Sequence, residues 1–291
     1  MTTETSATST FPFAGFDVHR VGFGAMQLPG RGVMGPPRDH DAAVAVLRRA
    51  VELGVDHIDT AQYYGPDVAN ALIREALHPY PEGLALVSKV GARRDAKGGW
   101  PPAQRPEQLR EDVEANLRNL GVEQLAAVNL RLPEHAVADL PPLEDRLGAM
   151  VQLRDDGLIA GVGISTASRE QVELAIELAD IVCVQNPYSL LSRGDEDVLD
   201  LCREHGIAYV PYFPLGSAFP GMPKVTEDAA VRRVAERLGA SPAQVGLAWL
   251  LAHAENILLI PGTSSVGHLE ENLAVAEVEL EPADLAELED R

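Results

Sequence analysis

The 291-residue chain predicts an α/β fold: a closed (β/α)8 barrel of the TIM type with a short N-terminal hairpin and a C-terminal helix. Three observations predict it. Short β-branched runs alternate with longer amphipathic segments along nearly the whole chain, the pattern of parallel strands joined by crossover helices. Eight such units can be counted. No GxGxxG follows the first strand candidate, which favours a closed barrel over an open dinucleotide-binding sheet.

The elements follow in order. Residues 1–10 are rich in serine and threonine and are expected to form a disordered tail, with 11–291 as a single domain. Residues 11–20 suit a hairpin turning at Ala14-Gly15. The strand candidates are 21–28, 55–60, 85–90, 126–132, 161–166, 181–186, 207–213 and 257–260, several of them continuously apolar, as strands covered on both faces should be. Between them, Val44, Leu47, Ala50 and Val51 in 41–53, and Leu109, Val113, Leu117 and Leu120 in 106–120, recur at helical spacing. Three joints, Gly54-Val55, Gly157-Leu158 and Gly206-Ile207, place a glycine where a helix ends and the next strand begins. Residues 281–291 are expected to form the terminal helix. The first and third strands lead into long loops, 29–38 and 91–106, and loops after strands are where barrel sites are built.

Composition excludes several functions. With 24 basic against 44 acidic residues the formal charge is −20, so a nucleic-acid partner would lack the basic face it needs. No run of about 18 apolar residues and no N-terminal signal core occurs, so neither a membrane role nor export is expected. Cys183 and Cys202 lie in apolar surroundings and suit buried hydrophobes rather than a disulfide or metal pair, which points to a reducing cytoplasm. No HExxH or HxH spacing exists, and strands four and seven lack the carboxylate pair of a barrel glycosidase, so neither a metal nor glycoside chemistry is expected.

The second strand candidate ends in His57-Ile58-Asp59-Thr60-Ala61-Gln62-Tyr63-Tyr64-Gly65 and the third in Leu86-Val87-Ser88-Lys89-Val90-Gly91. On these segments the chain resembles the aldo/keto reductase family, whose DTAxxYG segment and strand-three lysine match Asp59, Tyr64 and Lys89. The resemblance extends from about residue 21 to 272 with the motifs in the family's order. It implies hydride transfer between NADP(H) and a small-molecule carbonyl, and the residue types suit that chemistry. A carbonyl accepting hydride also needs a proton, which a phenol of pKa near 10 gives up poorly at neutral pH. A neighbouring ammonium stabilises the phenolate, and a carboxylate holds the ammonium. Tyr64, Lys89 and Asp59 are the expected donor, cation and anchor. Each alone has a structural explanation, a tyrosine packed in a loop or an ion pair at a strand end; the three in this order favour catalysis.

At the end of strand four, where most of the family has histidine, Val128-Asn129-Leu130-Arg131-Leu132-Pro133 places Arg131. Its fixed fork suits a substrate oxygen or an anionic substituent; pairing with Glu134 is the structural alternative. The resemblance assigns Ser165 and Gln185 to the nicotinamide carboxamide, Tyr212 to stacking on its ring, and Leu215, Gly216 and Ser217 to the pyrophosphate. Its adenosine 2′-phosphate site falls on Gly262, Thr263, Ser264 and His268, with Glu271 and Asn272 at the adenine. Two cations common there are replaced by Gly262 and His268, yet a helix N-terminus still binds phosphate, so NADP(H) is expected over NAD(H). Met26, Met34 and Trp100 are expected to line the substrate pocket.

Several stretches, Gly22 through Leu28, Gly35-Pro36-Pro37-Arg38-Asp39, Gly91-Ala92-Arg93-Arg94 and Val128 through Arg131, resemble a bacterial pyridoxal reductase subgroup, implying reduction of pyridoxal to pyridoxine. The alternatives are a broad-specificity aldehyde or ketone reductase of secondary metabolism and a cofactor-binding regulatory subunit with little turnover. The expected assembly is a monomer or weak homo-oligomer.

Overall fold

The computed structural model describes residues 9–216 and 223–290. Two antiparallel strands, β1 (Thr10–Phe13) and β2 (Phe16–His19), form the anticipated hairpin, with Ala14 and Gly15 both at positive φ in its two-residue turn. The tail expected over residues 1–10 lies outside the described residues apart from its last two, and Thr10 already belongs to β1.

Seven parallel strands follow in sequential order: β3 (Phe23–Gly24), β4 (His57–Asp59), β5 (Ala85–Val90), β6 (Leu125–Arg131), β7 (Ile159–Ser165), β8 (Cys183–Gln185) and β9 (Ala208–Tyr209). The eighth position is filled by residues 257–259. Tyr209 N–H donates to Asn256 O and Leu258 N–H to Tyr209 O on one side; Leu259 N–H donates to Arg20 O and Gly22 N–H to Leu259 O on the other. These parallel bridges close the sheet into a barrel. Several strands are shorter than anticipated, β3, β4 and β8 at both ends, because ladder pairing is confined to the middle of each span.

Helices α1 (His40–Glu52), α2 (Val68–Leu77), α3 (Pro106–Leu120), α4 (Leu143–Asp155), α5 (Arg169–Ala179) and α6 (Glu196–Glu204) occupy the first six crossovers. The apolar stripes of α1 and α3 are turned inward as spaced, although Val51 stays half-buried. The seventh crossover carries two helices, α7 (Ala229–Leu238) and α8 (Pro242–His253); α8 is apolar almost all round and buries Val245 through Leu251 against α7, α9 and neighbouring turns. Helix α9 (Val266–Leu273) follows the closing strand, and α10 (Pro282–Glu289) packs on α7, its Glu289 accepting the Trp249 indole N–H at 3.1 Å.

One apolar cluster fills the space between strands and helices. A second lies inside the barrel, where Phe13 and Val18 of the hairpin meet Ala85, Ala127, Cys183 and Ala208. The hairpin therefore plugs the end where strands begin and leaves the opposite mouth for chemistry. No helix among the described residues is long and apolar enough to cross a membrane.

Candidate active site

Side-chain alternation along each strand points Asp59, Lys89, Arg131, Ser165 and Gln185 inward at the carboxyl ends of β4 to β8. Lys89 and Asp59 form a buried ion pair; Lys89 Nζ also donates to Thr60 O at 3.1 Å, and Gln185 Nε2 donates to the other Asp59 oxygen at 3.1 Å. Tyr64 lies in the tight turn after β4, its ring centroid 5.1 Å from Lys89 Nζ. Gly65 makes that turn possible: its φ is +111°, and a Cβ there would strike the Val68 side chain at 2.3 Å. Tyr63 packs edge-on against Tyr64, with its hydroxyl buried and without a hydrogen-bond partner.

Burial pushes the Tyr64 phenol well above its ordinary value, and the Asp59 carboxylate pushes the same way, while Arg131 opposes them. The sequence suggests a phenol lowered by its ammonium. The geometry explains the opposite direction, since the phenol is buried and the Lys89 ammonium is already paired with Asp59.

A cavity of about 220 Å³ brings together Met26, Asp59, Tyr64, Lys89, Gln185, Tyr212, Leu215, Gly216, Gly262 and Asn272. Ser165 is buried beside it, its Oγ 3.5 Å from Thr166 Oγ1, which lies 3.5 Å from the Tyr212 hydroxyl. Arg131 and Trp100 line a neighbouring cavity of about 310 Å³. Arg131 is 23% exposed and stands 3.6 Å from the exposed Glu134 carboxylate, so the anticipated pairing exists without burying the guanidinium.

Four expected residues gather near the start of α9. Ser265, rather than Thr263 or Ser264, caps the helix; Thr263 Oγ1 accepts the Ser265 N–H at 3.0 Å, Ser264 sits just before the cap, and the exposed His268 donates its N–H to Ser265 Oγ. The Glu271 carbonyl accepts from Gln244. Ser217 lies outside the described residues. Met34 lines neither cavity and instead lies beneath Arg94. Cys183 and Cys202 are free and buried, and the described residues hold no cluster suited to a metal ion.

A buried amide network lies behind the strand ends, and of its members only Thr60 belongs to the family segment. Asn116 Oδ1 of α3 accepts from Ser88 Oγ at 2.6 Å and Asn70 Nδ2 at 2.8 Å; Asn70 in turn accepts from Thr60 Oγ1, and Asn116 Nδ2 donates to the Asp112 carbonyl. It ties together the strand ends carrying Asp59 and Lys89. The available signal was an asparagine on the apolar stripe of α3, between Val113 and Leu120.

A parallel barrel with a buried lysine–aspartate pair against a tyrosine at its open mouth defines an α/β-barrel oxidoreductase. The chain belongs to the aldo/keto reductase family, whose sequence profile matches residues 20–290. It is 46% identical to pyridoxine 4-dehydrogenase of Escherichia coli over 97% of this chain and 98% of that protein. It is 37% identical to an uncharacterised oxidoreductase of Schizosaccharomyces pombe over 94% of this chain and 86% of that one. Among solved structures it is similar to an aldo/keto reductase from Klebsiella pneumoniae in complex with NADP and acetate, with a TM-score of 0.80 and 26% identity, covering 97% of this chain and 95% of that chain.

Proposed function

We propose that this chain is an NADP(H)-dependent carbonyl reductase acting in the cytoplasm, as a monomer or weak homo-oligomer, with pyridoxal as its substrate and pyridoxine as the product. One observation carries the reading: Tyr64, Lys89 and Asp59 line a single cavity with Tyr212, Gln185 and Gly262. The family relation supports the reaction type, and the identity with the Escherichia coli enzyme supports the substrate.

The lining fits a nicotinamide. Tyr212 offers a ring face, while Ser165 and Gln185 offer a buried hydroxyl and amide beside it. Leu215, Gly216 and Ser217 are assigned to the pyrophosphate, Gly262, Thr263, Ser264 and His268 to the 2′-phosphate, and Glu271 and Asn272 to the adenine. When bound, NADPH supplies the hydride that reduces the carbonyl carbon. Tyr64 gives its phenolic proton to the carbonyl oxygen, a position where a well-placed acid contributes roughly 10²–10⁴ in rate. Lys89, held by Asp59 and Thr60 O beside the Tyr64 ring, offsets part of the negative charge of the phenolate left behind. Arg131 borders the substrate side and orients the phenolic oxygen next to the pyridoxal aldehyde.

The test is an aldehyde and ketone panel including pyridoxal, run with NADPH and NADH, on wild type, Tyr64→Phe and Tyr63→Phe. Tyr64→Phe should keep NADPH affinity and lose roughly 10²-fold or more in kcat. Tyr63→Phe should stay near wild type. Equal losses in the two variants would reassign the donor, and NADPH binding without turnover of any carbonyl would make the chain an accessory subunit.

A further inference from the structure

The Gly91-Ala92-Arg93-Arg94 stretch leads from the cavity of Arg131 and Trp100 into the loop that carries Trp100. We propose that Arg94 is a positioning residue of the carbonyl pocket, clasping the 91–105 loop to the 29–38 loop and so holding Trp100 against Tyr63 and Tyr64. The role in catalysis rests on Tyr64 being the proton donor; the clasp itself does not.

Arg94 spends its planar guanidinium on both loops at once. Its Nη2 donates to Gly32 O at 2.8 Å and its Nε to Met34 Sδ at 3.1 Å, both in the first loop. Its Cζ lies 3.9 Å above the centroid of Trp100 in the second. The remaining Nη1 is buried without a hydrogen-bond partner, as expected of a fork flattened on an indole face. These partners are a carbonyl, a thioether and a ring, which only a flat multidentate cation serves together.

The consequence reaches the proton donor. Trp100 meets Tyr63 edge-on at 5.2 Å and Tyr64 at 6.4 Å, and its ring centroid is 5.9 Å from Arg131 Cζ. The 29–38 loop is separately tied to the Tyr64 turn, Gly65 N–H donating to Val33 O at 3.2 Å and Gly35 N–H to Gly65 O at 2.8 Å. Three loops thus close a ring around the pocket mouth. The joint between 29–38 and 91–105 is made by the Arg94 side chain.

Arg94→Ala should therefore release Trp100 with the barrel intact. The chain has two tryptophans, and Trp249 is fully buried, so acrylamide quenching reports on Trp100. The quenching constant should rise, the KM for pyridoxal should rise about tenfold or more, as expected when a pocket wall is no longer held in position, and NADPH affinity should stay near wild type. Arg94→Lys should behave like Arg94→Ala, because an ammonium cannot stack and fork together. Wild-type quenching in Arg94→Ala, rescue by Arg94→Lys, or increased quenching with an unchanged KM would overturn the proposal. If wild type reduces no carbonyl, quenching and NADPH affinity still decide the clasp, and the proposed activity fails separately.

Discussion

At the residue scale the informative contrast is between two adjacent tyrosines and one arginine. Tyr64 lines the cavity beside Lys89, whereas the Tyr63 hydroxyl is sealed in the wall without a partner. Losing a buried hydroxyl that bonds nothing costs little, so Tyr63→Phe should leave stability unchanged or raise it by about 1 kcal/mol in a denaturant titration. A loss of more than that would show a partner for the hydroxyl in solution. Arg131 was legible as an exception to its family, but its state was not. Its contact with Glu134 is long and solvent-facing, of the kind worth about 0–1 kcal/mol. Arg131→Ala should therefore barely shift the melting temperature and should raise the KM for pyridoxal roughly tenfold to 100-fold over that for an aldehyde without a hydroxyl, the scale of a charge-assisted hydrogen bond. A fall in kcat for both substrates alike would place the guanidinium on the developing oxyanion instead.

At the element scale the hairpin and α3 do opposite jobs. The hairpin was readable from Ala14-Gly15, but its function as a plug comes from Phe13 and Val18 reaching residues far along the chain. Phe13→Ala should cost about 3–5 kcal/mol, the usual toll of emptying an aromatic core site, in urea unfolding. Because the plug lies at the end opposite Tyr64, the folded fraction should keep wild-type kcat and KM. A catalytic defect without a stability loss would contradict that separation. Helix α3 was legible to its last residue because its apolar spacing is local and Gly121 ends it in a left-handed turn. The Asn116 network it carries was not legible as a network. Its partners Asn70 and Ser88 lie on α2 and β5, and only packing brings them within hydrogen-bond reach.

At the scale of the whole molecule, all six tyrosines have their phenols raised, by burial first in every case, with Tyr80 at about 12. A group whose folded pKa lies above its unfolded value keeps its proton in the fold while the unfolded chain loses it. The associated stability is fully present below the ordinary value of about 10 and is lost as pH rises through the raised ones. Melting temperature should thus fall steeply above about pH 10, and tyrosinate absorbance should appear with unfolding rather than before it. Tyrosinate forming at pH 10 in the folded protein would show that the phenols are more hydrated than the packing implies. The barrel, the order of its strands and helices, the glycine joints and the motif positions of Asp59, Tyr64 and Lys89 are legible in the chain, because spacing, turn chemistry and motif order are written locally along it. Only the folded contacts show how residues 257–259 close the ring, which way burial moves the Tyr64 phenol, and how Arg94 and Asn116 tie the surrounding loops and strand ends together. Those depend on desolvation and on contacts between residues far apart in sequence, which no local pattern encodes.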